Sequence, residues 1–119
     1  MIALERRGPV VMFALMRATA VLLAVLVLGH FAMTHLVTDV AATDSSFVLR
    51  RWSSALWIAW DLTMLATALL HASCGMWLVI AEQAPVSSRR RRQVSVAVVS
   101  AVLLAVGTTA IVVGASHGA

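Results

Sequence analysis

The sequence predicts an all-α membrane protein with three transmembrane helices, and three observations carry that prediction. First, 61% of the 119 residues are hydrophobic and only 12% are charged, whereas soluble chains run at about 45–50% apolar and about 25% charged. Second, the apolar residues gather into three segments, over about residues 10–33, 52–81 and 94–115. Each is long enough to cross a hydrocarbon core of about 30 Å at about 1.5 Å per residue. Third, the basic residues are nine arginines and no lysine, clustered at the segment ends, a placement that favours a topology signal over nucleic-acid or lipid-headgroup binding. With a mean hydropathy of +0.96 and three spans, residues 1–119 form one transmembrane domain. No large soluble catalytic domain fits beside it. Any chemistry sits between helices or belongs to a partner.

The first segment follows a polar start carrying Arg6 and Arg7. It is too long for a signal peptide and is interrupted by Arg17, so it reads as a retained helix. Residues 34–51 read as a loop with Asp39, Asp44, Arg50 and Arg51. The second segment carries Trp52, Trp57 and Trp60 near one interface and Trp77 near the other, as an aromatic belt does. Residues 82–93 read as a second loop, with Pro85 as a stop and Arg89 to Arg92 in succession. The third segment has no charge at all. Its Gly107 and Gly114 mark close helix packing. Six arginines fall on the side of the N-terminus and second loop, against two on the other, which also holds Asp39 and Asp44. The N-terminus is therefore expected in the cytoplasm and the C-terminus outside. Three antiparallel helices leave much surface uncovered, so the chain is expected to form half of a larger helical bundle shared with another subunit.

Ionisable groups at membrane depth are the candidate functional residues, because lipid tolerates them poorly. His71 lies roughly 5–7 Å to the cytoplasmic side of mid-membrane, and Arg17 lies at a similar level. Gly75, one turn beyond His71 on the same face, leaves room for something flat and bulky. A histidine so placed serves as a haem ligand, a proton relay or an interhelical hydrogen-bond donor. An imidazole and a cation in one layer suit an anionic cofactor, with iron on the ring and propionates at the guanidinium. Arg17 alternatively snorkels to lipid phosphate. His30 and Asp61 form a second layer, roughly 10–13 Å to the opposite side of mid-membrane. There the carboxylate either fixes the tautomer of a metal-binding histidine or simply satisfies the ring. At about 100° per residue His30 points about 140° away from Arg17, so the two face different neighbours. His35 and His117 read as solvated. The lone Cys74 excludes an intrachain disulfide, and a zinc or iron–sulfur site built from this chain's thiols alone.

Two stretches resemble a known family. Leu15-Met16-Arg17-Ala18-Thr19-Ala20-Val21-Leu22 is similar to the R-x-[TS]-A opening of the first helix in the D-type membrane-anchor subunit of succinate:quinone oxidoreductase. Leu70-His71-Ala72-Ser73-Cys74-Gly75-Met76-Trp77 is similar to the L-H-x-x-x-G-[ML]-[WR] motif of its second helix. Leu28-Gly29-His30 and Trp60-Asp61-Leu62 also look like features of the actinobacterial branch. The resemblance implies that His71 is an axial ligand of haem b, opposite a histidine of a companion C-type anchor subunit. Arg17 would lie near the propionates. Flavoprotein and iron–sulfur subunits would oxidise succinate and pass electrons to membrane quinone. Some family members hold two haems, which makes His30 the candidate ligand of the second and Asp61 its supporting carboxylate. The expected location is the bacterial cytoplasmic membrane. One departure concerns quinone. Where the family carries Asp-Tyr after the second-helix motif, this chain has Glu82 and Gln83, and it contains no tyrosine. Two other readings compete: a purely structural anchor without haem, and a small transporter whose Arg17 and Asp61 line a polar path.

Overall fold

The structure is a computed structural model that describes residues 7–118. Among the described residues every regular element is helical. Helix α1 spans Arg7–Phe31 and runs on as one wider π-helical turn over Ala32–Val37. After a short 3₁₀ turn at Val40–Ala42 come α2 (Ser45–Trp52), α3 (Ala55–Gln83) and α4 (Val86–Gly118). Three helical stretches are long and apolar enough to cross a membrane: Arg7–Val37, Ala55–Gln83 and Val86–His117. They are the three predicted spans.

Two expectations about the connections are corrected. The loop predicted over residues 34–51 contains α2, whose start is set by Asp44. The Asp44 carboxylate accepts from the Phe47 backbone N–H at 2.8 Å and the Ser46 hydroxyl at 2.7 Å, which satisfies one of the donors a helix start leaves unpaired. The loop predicted over residues 82–93 shrinks to Ala84–Pro85. Pro85 ends α3 because it has no N–H to give, and its carbonyl then accepts from the Ser88 and Arg89 amides, both at 3.0 Å, to start α4. Arginine is a good helix former. The four arginines therefore lie on the first turns of α4 rather than in a loop, and the helix runs past the apolar segment.

Helix α3 is central. It packs against α1 on one side and α4 on the other, while α2 folds back onto α4. The molecule measures 55 × 25 × 23 Å. Very few side chains are buried: Leu26, Cys74, Ile80, Ala84, Ile111, Thr19 and Thr67. Large apolar side chains face outward on every span, such as Val21 at 69%, Met76 at 50% and Val106 at 62% exposure. That surface suits hydrocarbon or a neighbouring helix, not water.

Glycines set how closely the helices approach. A Cβ on Gly29 of α1 would lie 2.7 Å from Trp60 Cζ2 of α3, and one on Gly107 of α4 would lie 2.6 Å from Leu65 Cδ2. Gly114 is covered by the ring of Trp52. Gly107 and Gly114 are thus packing glycines, as expected. Trp52 and Trp60, expected as belt residues, lie over Gly114 and Gly29. Trp60 also donates its Nε1–H to the Leu26 carbonyl at 3.3 Å.

Candidate functional site

Two polar layers lie along the seam between α1 and α3, one toward each end of the bundle. The layer nearer the Pro85 turn is built on His71. Its Nδ1 lies 3.1 Å from the Met16 carbonyl and 3.1 Å from Thr19 Oγ1. Thr19 sends its own hydroxyl proton to the Leu15 carbonyl at 2.7 Å, with Met16 O at 3.1 Å. A carbonyl only accepts, so Nδ1 carries the ring proton and Nε2 keeps its lone pair. Nε2 takes no hydrogen bond from the described residues and is not buried beneath them. This is the arrangement that a metal-binding imidazole needs: one nitrogen held by a backbone carbonyl, the other free and basic.

Gly75 belongs to the same layer. A Cβ there would meet only Met16 Sδ, at 3.8 Å, which is ordinary contact. Packing within this chain therefore gives no reason for glycine at 75, unlike Gly29, Gly107 and Gly114. The space beside His71 is open to something outside the chain. Arg17 shares this level, being next to Met16 and one half-turn from Thr19. At about 100° per residue it nevertheless points about 100° around α1 from Met16. It is exposed, lies over the Phe13 ring at 5.7 Å, and has no carboxylate partner among the described residues. Its guanidinium does not meet His71. It is available to an anionic group reaching the outside of α1.

The second layer joins all four helices. Asp61 of α3 accepts an ion-paired hydrogen bond from Arg51 Nη2 and a bond from Trp52 Nε1 at 2.9 Å. Trp52 in turn covers Gly114 of α4. Arg51 lies over the Trp57 ring at 4.9 Å, a favourable cation–π distance. His30 of α1 stands 3.8 Å from the Asp61 carboxylate, with its Nδ1 3.4 Å from Arg51 Nη2. The expected pairing of His30 with Asp61 is thus present as proximity, with Arg51 inserted between them. The side chains of Arg51 and Asp61 are only 10% and 12% exposed. Trp52 satisfies the second carboxylate oxygen, while Arg51 Nε is buried without a hydrogen-bond partner among the described residues.

The two imidazoles differ in their neighbours. His71 Nδ1 meets a backbone carbonyl, whereas His30 Nδ1 faces both the Arg51 guanidinium, at 3.4 Å, and the Asp61 carboxylate, at 3.8 Å. The carbonyl contact suits an imidazole whose Nε2 is free to bind a metal. Arg17 and Asp61 do not line one path, since Asp61 is enclosed by Arg51 and Trp52 while Arg17 sits exposed in the other layer. Glu82 and Gln83 are exposed at the end of α3, and Cys74 is buried. No group of three or more histidine, cysteine or carboxylate side chains converges on a metal position among the described residues.

Sequence reasoning missed Arg51 and Trp52. The signal was Asp44-Ser45-Ser46-Phe47, a helix-start pattern that turns the apparent loop into α2 and carries Arg51 and Trp52 back to Asp61. The family model described as succinate dehydrogenase/fumarate reductase transmembrane subunit covers residues 5–110. A search of curated proteins finds no match.

Proposed function

The chain belongs to the succinate dehydrogenase/fumarate reductase transmembrane subunit family, and from that premise we propose that it is the D-type anchor, which binds haem b through His71 beside a companion C-type anchor. Membership of the family itself makes it a membrane-anchor subunit that associates with the catalytic flavoprotein and iron–sulfur subunits. The oxidation of succinate, or the reduction of fumarate, belongs to those partners.

The observation that carries the haem proposal is the state of the His71 ring. Met16 O and Thr19 Oγ1 hold Nδ1, so Nε2 is aimed away from the chain's own hydrogen bonds with its lone pair intact. Ordering the ring in advance removes an entropic cost that a free histidine meets on ligation. Gly75 leaves the adjacent surface clear, and Arg17 offers a cation to propionate at the same depth. A haem b there supplies a one-electron redox centre between the iron–sulfur clusters and quinone. A histidine of the companion subunit would help hold the haem, as the resemblance implies. We assign one haem to this chain's share, because His30 is engaged by Arg51. Quinone contacts fall to the partners, since Glu82 and Gln83 replace the Asp-Tyr pair. The Arg6, Arg7 and Arg89–Arg92 charges favour a cytoplasmic N-terminus and Pro85 turn, and the bacterial cytoplasmic membrane is the location the resemblance implies.

A purely structural anchor is the second reading, favoured by the same His71–Met16 hydrogen bond, which fastens α3 to α1 with or without haem. The reduced-minus-oxidised absorption spectrum of the purified complex separates the two. Haem ligation predicts a b-type band that His71→Ala removes or converts to a high-spin form. A complex that lacks the band, or keeps it unchanged in the variant, is the structural anchor.

A further inference from the structure

We propose that Arg90, Arg91 and Arg92, on the first turns of α4, bind the phosphates of anionic phospholipids around the cytoplasmic end of that helix. The inference rests on the membrane reading of the chain and concerns a surface separate from the haem layer.

Depth is the first argument. The charge-free run of α4 begins at Val94 and reaches Ala115, about 33 Å at 1.5 Å per residue. That matches a hydrocarbon core of about 30 Å. Arg92 then lies about 3 Å beyond the run and Arg90 about 6 Å beyond it. This is the headgroup layer, which adds roughly 5–7 Å on each side. The side chains end among lipid phosphates rather than in the aqueous space beyond them.

Direction is the second. Four successive helical residues point about 100° apart, so they ring the helix instead of lining one face. A flat protein surface engages residues at i, i+3 and i+4. Lipid surrounds a helix on several sides, and a ring of guanidiniums suits it. Arg89 is the member turned inward, half-buried, with Nη2 3.4 Å from the Ala84 carbonyl. The other three are exposed.

Charge balance is the third. No carboxylate pairs with these arginines among the described residues; the ion pairs present there all involve Asp61. The arginines also sit at the helix N-terminus, where the macrodipole already disfavours cations. Anions from outside the chain relieve both. A guanidinium takes a phosphate through two parallel donors, which makes arginine well suited to the task.

The test uses the whole purified complex in neutral detergent. Phosphatidylglycerol and phosphatidylcholine with identical acyl chains are titrated separately at low salt, and retained lipid is counted by native mass spectrometry. The expected result is preferential retention of phosphatidylglycerol, weakened by added salt. Substituting Arg90→Gln, Arg91→Gln and Arg92→Gln together should weaken that retention by up to roughly 100-fold, given the usual contribution of each arginine at an anionic surface. Substituting all three by lysine keeps most of it, which separates charge from misfolding. Equal retention of the two lipids by the wild-type complex overturns the proposal. So does suppression of phosphatidylglycerol retention by equimolar inorganic phosphate, which marks a site for the free ion. Loss of the flavoprotein and iron–sulfur subunits from the glutamine variant, with lipid retention intact, assigns the arginines to partner docking instead.

Discussion

His71 and His30 lie on the same seam between α1 and α3, and both use Nδ1 to hold their place. They differ in what Nδ1 meets. At His71 it meets a backbone carbonyl of α1; at His30 it meets the guanidinium of Arg51. The first contact is one that metal-binding imidazoles make, and the second sets the ring beside a buried ion pair. Two histidines that look alike in the sequence therefore have different surroundings. The layer nearer the Pro85 turn is open beside its imidazole. The Asp61 layer is closed on itself and joins four helices.

The largest test of this contrast is haem content. His71→Ala is expected to abolish the b-type spectrum, while His30→Gln leaves one haem per complex by pyridine haemochrome assay. Loss of a second haem in the His30 variant would break the contrast. Next in size is Asp61→Asn, which strands a buried guanidinium. Removing one partner of such a pair costs about 3–5 kcal/mol, so the complex should melt well below wild type. Replacing Arg51 and Asp61 together by Met and Leu should recover much of that loss, because no lone charge remains. Smaller effects separate the glycines. Gly29→Ala drives a methyl into Trp60 and is expected to cost about 1–3 kcal/mol. Gly75→Ala meets only Met16 Sδ within this chain, so the apoprotein's melting should hardly change while the haem spectrum shifts. A melting loss at Gly75 equal to that at Gly29 would remove the argument for clearance.

The smallest effect concerns the support of the Asp61 layer. Arg51 and Trp52 reach Asp61 from α2, and Asp44 caps α2. The Ser46 hydroxyl, with help from the Phe47 amide and the Arg50 charge, holds the Asp44 carboxyl below the usual carboxylate range. A carboxyl with a depressed value in the folded state contributes stability above its unfolded value, and that contribution fades as pH falls toward the folded value. Acidification below about pH 4 is therefore expected to speed hydrogen exchange at Phe47 and through α2 before it affects the Met16–His71 contact. Simultaneous loss at both places would mean that the layers are not independent.

Much of this was legible in the residues. Segment length and arginine placement predict the three spans, and 1.5 Å per residue places Arg17 level with His71. The sequence pairs Gly29-His30 and Trp60-Asp61 pack against one another residue for residue: ring on glycine, imidazole beside carboxylate. What composition hid was the structure of the polar stretches. Charged residues read as loops, yet Arg89–Arg92 are helical because Pro85 opens a helix there, and α2 exists because Asp44 caps it. Which face of α1 meets α3, and what each histidine ring touches, depend on neighbours fifty residues away or on α2. No local pattern contains them.

Helices α1 and α4 depend on α3, which has a consequence for biogenesis. Helix α1 leaves the ribosome first, but its packing partner is complete only at Gln83. At about 5–20 residues per second the first span waits in the bilayer for several seconds without a neighbour from its own chain. Its hydroxyl groups are prepared for that interval. Thr19 bonds back to Leu15 O, and Thr34 bonds back to His30 O at 2.9 Å, so neither hydroxyl is left unsatisfied in lipid. When α3 arrives, Thr19 keeps its own bond and offers a lone pair to the incoming His71. The newborn first helix thus carries a finished half of the interface before the other half has been translated.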